Sequence, residues 1–155
     1  VGATGTGNRV MTSPDGINWT IRTSAVDNAW RHVCWSPELA IFCAVATTGT
    51  GDRVMTSPDG INWTSRTSAA DNDWWGICWS PELGLFCATA KTGTGNRVMT
   101  SPDGINWTIR SSAVDNEWWG VCWSPDLGLF CSVALTGMGD RAMTSVSAYS
   151  YTYRS

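Results

Sequence analysis

The stretch MTSPDGINWT stands at residues 11–20 and returns letter for letter at 55–64 and 99–108, whereas at 143–152 the chain reads MTSVSAYSYT. Met11, Met55, Met99 and Met143 are 44 residues apart, as are Trp19, Trp63 and Trp107, with no insertion in any unit. A fixed period of about 20–50 residues marks an architecture in which each unit buries its apolar face only against its neighbours. The 155 residues therefore amount to about three and a half units.

Within one unit, WWGICWS (74–80), LGLFCATA (83–90), NRVMTS (96–101) and NWTIRSS (106–112) are short segments rich in β-branched and aromatic residues. SPELG and SPDG between them offer proline to open a turn and glycine to close it. The pattern predicts four antiparallel strands per unit and no helix. Simple alternation puts Trp74 and Cys78 on one face and Ile77, Trp75 and Trp79 on the other, so both faces are apolar. A small four-stranded sheet buried on both sides, with a 44-residue period, is a blade of β-propeller type. The expected fold is all-β: a half blade at 1–29, blades at 30–73 and 74–117, and a last blade at 118–155 with an altered C-terminal strand.

Composition narrows the function classes. A net charge of -3, with 15% charged residues, leaves no basic stripe for a nucleic-acid backbone to follow. With 43% hydrophobic residues and 11 Trp the chain can bury a core, yet no run approaches the roughly 18 apolar residues of a membrane span. The sequence opens at Val1 without an initiator Met or signal peptide, which reads as a processed terminus or a truncation.

At SPDGINW the chain resembles the Asp-box hairpin of sialidase-type and related bacterial propellers, in a shortened Ser-x-Asp-Gly-x-x-Trp form. With the flanking GLFCAVA-like strand and Gly-rich turn, the likeness extends over nearly the whole chain. It implies a structural turn: Asp15, Asp59 and Asp103 cap their own turn amides, and Trp19, Trp63 and Trp107 pack over the hairpin. It implies no activity, because such turns occur in enzymes, lectins and scaffolds alike.

Closed propellers use about four to eight blades, so about 3.5 blades call for completion by intermolecular strand or blade pairing. The expected partner is a second copy, in a ring or a filament. The last repeat replaces Pro102, Asp103 and Gly104 with Val146, Ser147 and Ala148, and alternates Tyr149, Tyr151 and Tyr153 with polar residues. That tail is either a candidate assembly strand or a degenerate hairpin folded in place.

Cys34 and Cys43, Cys78 and Cys87, and Cys122 and Cys131 are each nine apart across a turn. If Ser36 pairs with Ile41, each pair is directly opposed, and two readings stay open: cross-strand disulfides, or free thiols acting as small hydrophobes. No Cys-x-x-Cys occurs and His32 is the single histidine, so no metal or cofactor is expected. Asn18, Asn62 and Asn106 each open an Asn-Trp-Thr glycosylation pattern beside a turn. Together with the opposed cysteines, this favours an extracellular or cell-surface protein.

Catalysis needs carboxylates in contrasting environments at one pocket, and every Asp here sits in a repeated turn or loop, so no enzyme is expected. Arg9, Arg53, Arg97 and Arg141 read as structural ion pairs or hydrogen-bond donors. The loops SAVDNAW, SAADNDWW and SAVDNEWW offer Asp27, Asn28, Asp71, Asn72, Asp115 and Asn116 beside a Trp, the residue set of a sugar site. Two functions follow: a self-assembling structural protein, glycosylated at the sequons, or a carbohydrate-binding propeller lectin. Arg31 and His32 replace the Trp-Gly of the other units, a departure with three open readings: it costs a lectin one of its equivalent sites, it is tolerated in a half-built terminal blade, or it serves a subunit contact.

Overall fold

The structure, a computed structural model, describes residues 1–146. Strands β1 (Val10–Thr12) and β2 (Thr20–Arg22) form a two-stranded first sheet. The second sheet runs β3 (Trp30–Ser36), β4 (Ile41–Ala46), β5 (Val54–Ser57) and β6 (Thr64–Arg66) in sequence order. The third repeats it with β7 (Trp74–Ser80), β8 (Leu85–Ala90), β9 (Val98–Ser101) and β10 (Thr108–Arg110). The fourth has β11 (Trp118–Ser124), β12 (Leu129–Ala134) and β13 (Ala142–Thr144).

All pairings are antiparallel. Among the described residues there is no helix, so none is long and apolar enough to cross a membrane. The chain is a series of β-propeller-type blades, and the series does not close on itself. Each inner strand begins at the first Trp of a repeat, and β3, β7 and β11 lie side by side.

The ladder has the register that the turns require. Ser36 faces Ile41, and Cys34, Cys78 and Cys122 face Cys43, Cys87 and Cys131. The simple alternation of the inner strand does not survive. A bulge between Trp74 and Gly76, repeated between Trp30 and His32 and between Trp118 and Gly120, inserts one residue. An extra residue resets the side-chain period, which carries Trp74 to the face of Ile77 instead of that of Cys78. Trp74 faces Ala90, Ile77 faces Ala88, and all four are fully buried in one cluster with Phe86 and Met99. Trp79 packs against this cluster; Trp75, the extra residue, is outside it.

That cluster is the joint between two blades. Cys43, Val45 and Val54 of the second sheet close it from the other side, and Trp107 and Ile109 of the third sheet pack at its edge. A smaller cluster of Val10, Trp30, Ala44, Ala46 and Met55 joins the first sheet to the second. The core is thus distributed over sheet-to-sheet joints, and any site must be built on the turns or the joints.

Candidate functional site: the joints between blades

The repeated turn is a closed hydrogen-bond device. The Ser13, Ser57 and Ser101 hydroxyl oxygens each accept the N–H of the turn glycine (Gly16, Gly60, Gly104) at 2.8 Å. One oxygen of Asp103 accepts the N–H groups of Ile105 and Asn106 at 2.8 and 2.7 Å, and the other accepts the Asn106 amide at 2.7 Å. Asp15 and Asp59 do the same in their own turns. The Asn18 and Asn62 N–H groups, followed by their side-chain amides, hold Asp15 and Asp59 well below the usual carboxylate range. For Asp103 burial is the largest single influence and pushes upward, but the Asn106, Ile105 and Ser101 donors together outweigh it and bring the carboxyl down to about 2. Each turn Trp donates its indole N–H back to the turn glycine carbonyl.

In the fourth repeat the hydroxyl is redirected. Ser145 Oγ accepts the Phe130 N–H at 3.0 Å, and the Ser145 N–H donates to the Phe130 carbonyl at 3.0 Å. Ser57 and Ser101 pair with Phe42 and Phe86 in the ladder as well, so the difference lies in the hydroxyl, which serves the turn glycine there and the Phe130 N–H here. The candidate assembly residues Tyr149, Tyr151 and Tyr153 lie outside the described residues.

The candidate sugar-binding residues are engaged within the fold. Asp27, Asp71 and Asp115 each accept the N–H of a glycine in the preceding turn, Gly7, Gly51 and Gly95 respectively, at 2.7–2.8 Å. Asn28, Asn72 and Asn116 are 7% exposed, and their amides donate to the Asp52, Asn96 and Asp140 carbonyls at 2.9 Å. Trp30, Trp74 and Trp118 are buried, with their indole N–H groups on loop carbonyls. Arg53 donates to the Gly49 and Thr47 carbonyls and pairs with Asp73 at 2.9 Å, locking turn to loop.

Asn18, Asn62 and Asn106 are exposed, as an acceptor site requires, but each amide nitrogen donates to its turn aspartate. The cysteine pairs oppose one another, yet all six thiols are free. Directly opposed residues of a regular ladder sit about 4.5–5.5 Å apart at Cα, on the short side of the roughly 4.4–6.8 Å that disulfides span. Burial holds the Cys34 and Cys87 thiols up at about 12. Cys122 alone is exposed. Among the described residues no group of three His, Cys, Asp or Glu side chains is placed to share a metal ion.

The joints carry contacts that the sequence reading missed. Trp79 Nε1 donates to Glu38 of the preceding blade at 2.6 Å, and Trp123 Nε1 to Glu82 at 2.6 Å. At the bulge position, the Trp75 and Trp119 rings stack at 4.3 Å, and the Arg31 guanidinium lies 4.3 Å from the Trp75 centroid. Arg31, Trp75 and Trp119 thus form one cross-blade stack. Lys91 bridges it, 4.9 and 5.0 Å from the two indoles, and pairs with Glu117 at 3.1 Å. The Ile77 N–H donates to His32 Nδ1 at 3.1 Å, so the Arg31-His32 departure is a working part of the joint between the second and third sheets. A glycine inside a strand was the available signal. A Cβ on Gly76 would lie 3.1 Å from the Gly120 Cα, showing how closely β7 and β11 approach.

The same positions lie open on the outermost sheets. Val45 and Thr89 are 0% and 1% exposed, but Val133 is 56% exposed. Met55 and Met99 are 0% exposed, but Met11 is 51%, beside Trp19 at 55% and Ile21 at 61%. Trp35 has no counterpart of the Glu38 or Glu82 acceptor among the described residues. An apolar groove of about 530 Å³ runs between the third and fourth sheets, lined by Leu83, Val98, Phe130 and Met143 among others. Between the second and third sheets the corresponding space holds Trp107 and Ile109.

No protein-family model matches the chain, and no curated protein matches it.

Proposed function

We propose that this chain is a non-enzymatic, self-assembling structural repeat protein that works outside the cell as a subunit of a ring or filament. One observation carries the reading: the outward faces of the first and fourth sheets bear residue types that the joint between the second and third sheets buries, as Val45 and Met99 show. Met11 and Val133 are counterparts of Met55 and Val45, and they differ from them chiefly in exposure. The hydrophobic gain from covering such a face is about 25 cal/mol per Å² of apolar surface, and the surface best shaped for it is another blade of the same repeat.

Two further features support a scaffold role. The Asp, Asn and Trp side chains of the interblade loops are engaged with neighbouring turns, which weighs against the lectin reading. The likeness of the SPDGINW turn to the Asp-box belongs with a structural device, since its carboxylates and hydroxyls serve their own backbone. The exposed Asn18, Asn62 and Asn106 are the positions where a glycan would sit on the outer rim.

Negative-stain electron microscopy of the undenatured protein tests the reading. Rings or filaments are the expected outcome. Dispersed single chains at all concentrations, with binding to a glycan array that free sugar competes away, would replace it with the lectin.

A further inference from the structure

We infer that the joint between copies is a strand exchange: the first hairpin of one chain, β1–β2, takes the place of β13 beside β12 of another. The inference rests on the assembly reading above and specifies its contact. The register defines the exchange. Met143 pairs with Ser132 as Met55 pairs with Ala44 and Met99 with Ala88, so Met11 of the incoming hairpin takes the Met143 position. Trp19 and Ile21 then enter the groove of about 530 Å³ between the third and fourth sheets. Their counterparts Trp107 and Ile109 fill the equivalent space one blade earlier. Phe130 on the groove wall gains the indole neighbour that Phe42 and Phe86 have in Trp63 and Trp107, at 6.4 and 6.3 Å.

The incoming hairpin fits this place better than the segment it displaces. It carries the complete turn, with Ser13 and Asp15 closing on Gly16, Ile17 and Asn18. Gly16 has φ +74°, a conformation that costs glycine little and that Ala148, its counterpart in the last repeat, disfavours. Ser145 has already turned away to Phe130. Val10 is the same residue as the buried Val54, where β13 has Ala142.

The exchange also supplies what the open positions lack. It sets β3 of the incoming chain beside β11, so Arg31 meets the free face of Trp119 as it meets Trp75 within its own chain. Asp126, the counterpart of Glu38 and Glu82, comes to the Trp35 indole N–H. Val133 and Cys122 are covered. Two short segments must give way. Residues 135–141 leave with β13, and Val1 and Gly2 yield to Val133 and Ala134. The Gly2 and Ala134 N–H groups make the same bond, to Arg9 and Arg141 respectively. With one composite blade per joint, each copy contributes three blades, and two copies give six, within the range of about four to eight that closes.

Sedimentation equilibrium of the full chain, with maleimide labelling of Cys122, tests the exchange. The wild type is expected at twice the 16.8 kDa chain mass, with Cys122 protected. The double variant Trp19→Ser/Ile21→Ser removes the donor contacts and Val133→Asp blocks the acceptor face. Each is expected to sediment as a single chain with reactive Cys122 and the wild type's far-ultraviolet circular dichroism spectrum, the sign that the blades still fold. An equimolar mixture of the two pairs again, because one retains the acceptor and the other the donor. If the donor variant assembles as well as wild type, the exchange is wrong and the assembly reading stands. Failure of the mixture to pair overturns the head-to-tail direction. A wild type that is a single chain overturns both readings. An open polymer that the donor variant dissolves upholds the joint and overturns closure at two copies.

Discussion

The hairpins at 10–22 and 54–66 share MTSPDGINWT and the same turn hydrogen bonds, yet Met55 is fully buried and Met11 is 51% exposed. Their local geometry is identical in kind: Ser and Asp close the turn, Trp caps the glycine carbonyl, and Arg22 or Arg66 bonds a threonine across the strand pair. What differs is whether a blade lies behind them. In a repeat protein a side chain's energetic weight therefore belongs to the joint and not to the hairpin.

The largest effect that would sharpen this contrast is truncation in the buried copy. Met99→Ala is expected to cost about 2–5 kcal/mol by urea denaturation, whereas Met11→Ala in dilute, unassembled protein stays within about 0.5 kcal/mol. Equal losses at both positions would break the comparison.

Next is Gly76→Val. Its added carbon would press on the Gly120 Cα at 3.1 Å and the Trp119 carbonyl oxygen at 3.2 Å. Overpacking of this kind costs about 1–3 kcal/mol and loosens the Trp75–Trp119 stack, read as a change in tryptophan fluorescence along with the denaturation midpoint. The equivalent change Gly120→Val meets only the Val133 side chain, at 4.0 Å, and is expected to be milder in the unassembled chain. It should hurt assembly more than stability.

Glu82→Gln probes the polar edge of a joint. It keeps an acceptor for the Trp123 indole but removes the charge, and an exposed charge-assisted bond of this kind is worth about 1 kcal/mol or less. Glu82→Ala should lose the bond altogether and shift the Trp123 indole proton resonance. An unmoved resonance would show that the contact is not formed in solution.

The smallest effect per residue is that of acid on the turns, and it should be alike in all three hairpins, buried or not. The Asp103 carboxyl falls from its ordinary 3.8 to about 2 in the folded chain, and Asp15 and Asp59 are lowered as well. A depressed folded-state value means that the contribution is complete above about pH 4 and is lost as the pH falls through the folded value near 2. Thermal unfolding followed by circular dichroism should show a decline that begins below about pH 4 and continues below the Asp103 value as the more strongly lowered Asp15 and Asp59 protonate. It should be flattened in Asp103→Asn, where nothing titrates in that turn.

Much of this was legible in the letters. The 44-residue period, the four strands of a unit and the opposition of Cys34 to Cys43 follow from turn chemistry and alternation, which are local. The hairpin device was equally readable, because Ser, Asp, Gly and Trp act on backbone within a few residues. The face of Trp74 was not. One extra residue at the bulge reverses a period-two pattern, and only the Gly76 within the strand hinted at it. Nor were the bonds from Trp79 to Glu38 and from Trp123 to Glu82, or the stack of Arg31 on Trp75, since they span 41 and 44 residues across separate sheets.

The sequence by itself determined the blade: its strands, its turns and the pairing next to each turn, up to the bulge of the inner strand, all set by contacts between near neighbours in the chain. Only the tertiary structure decided which copy of a repeated residue is core and which is surface. Burial depends on what packs against a face, and identical letters at 11 and 55 contain no information about that.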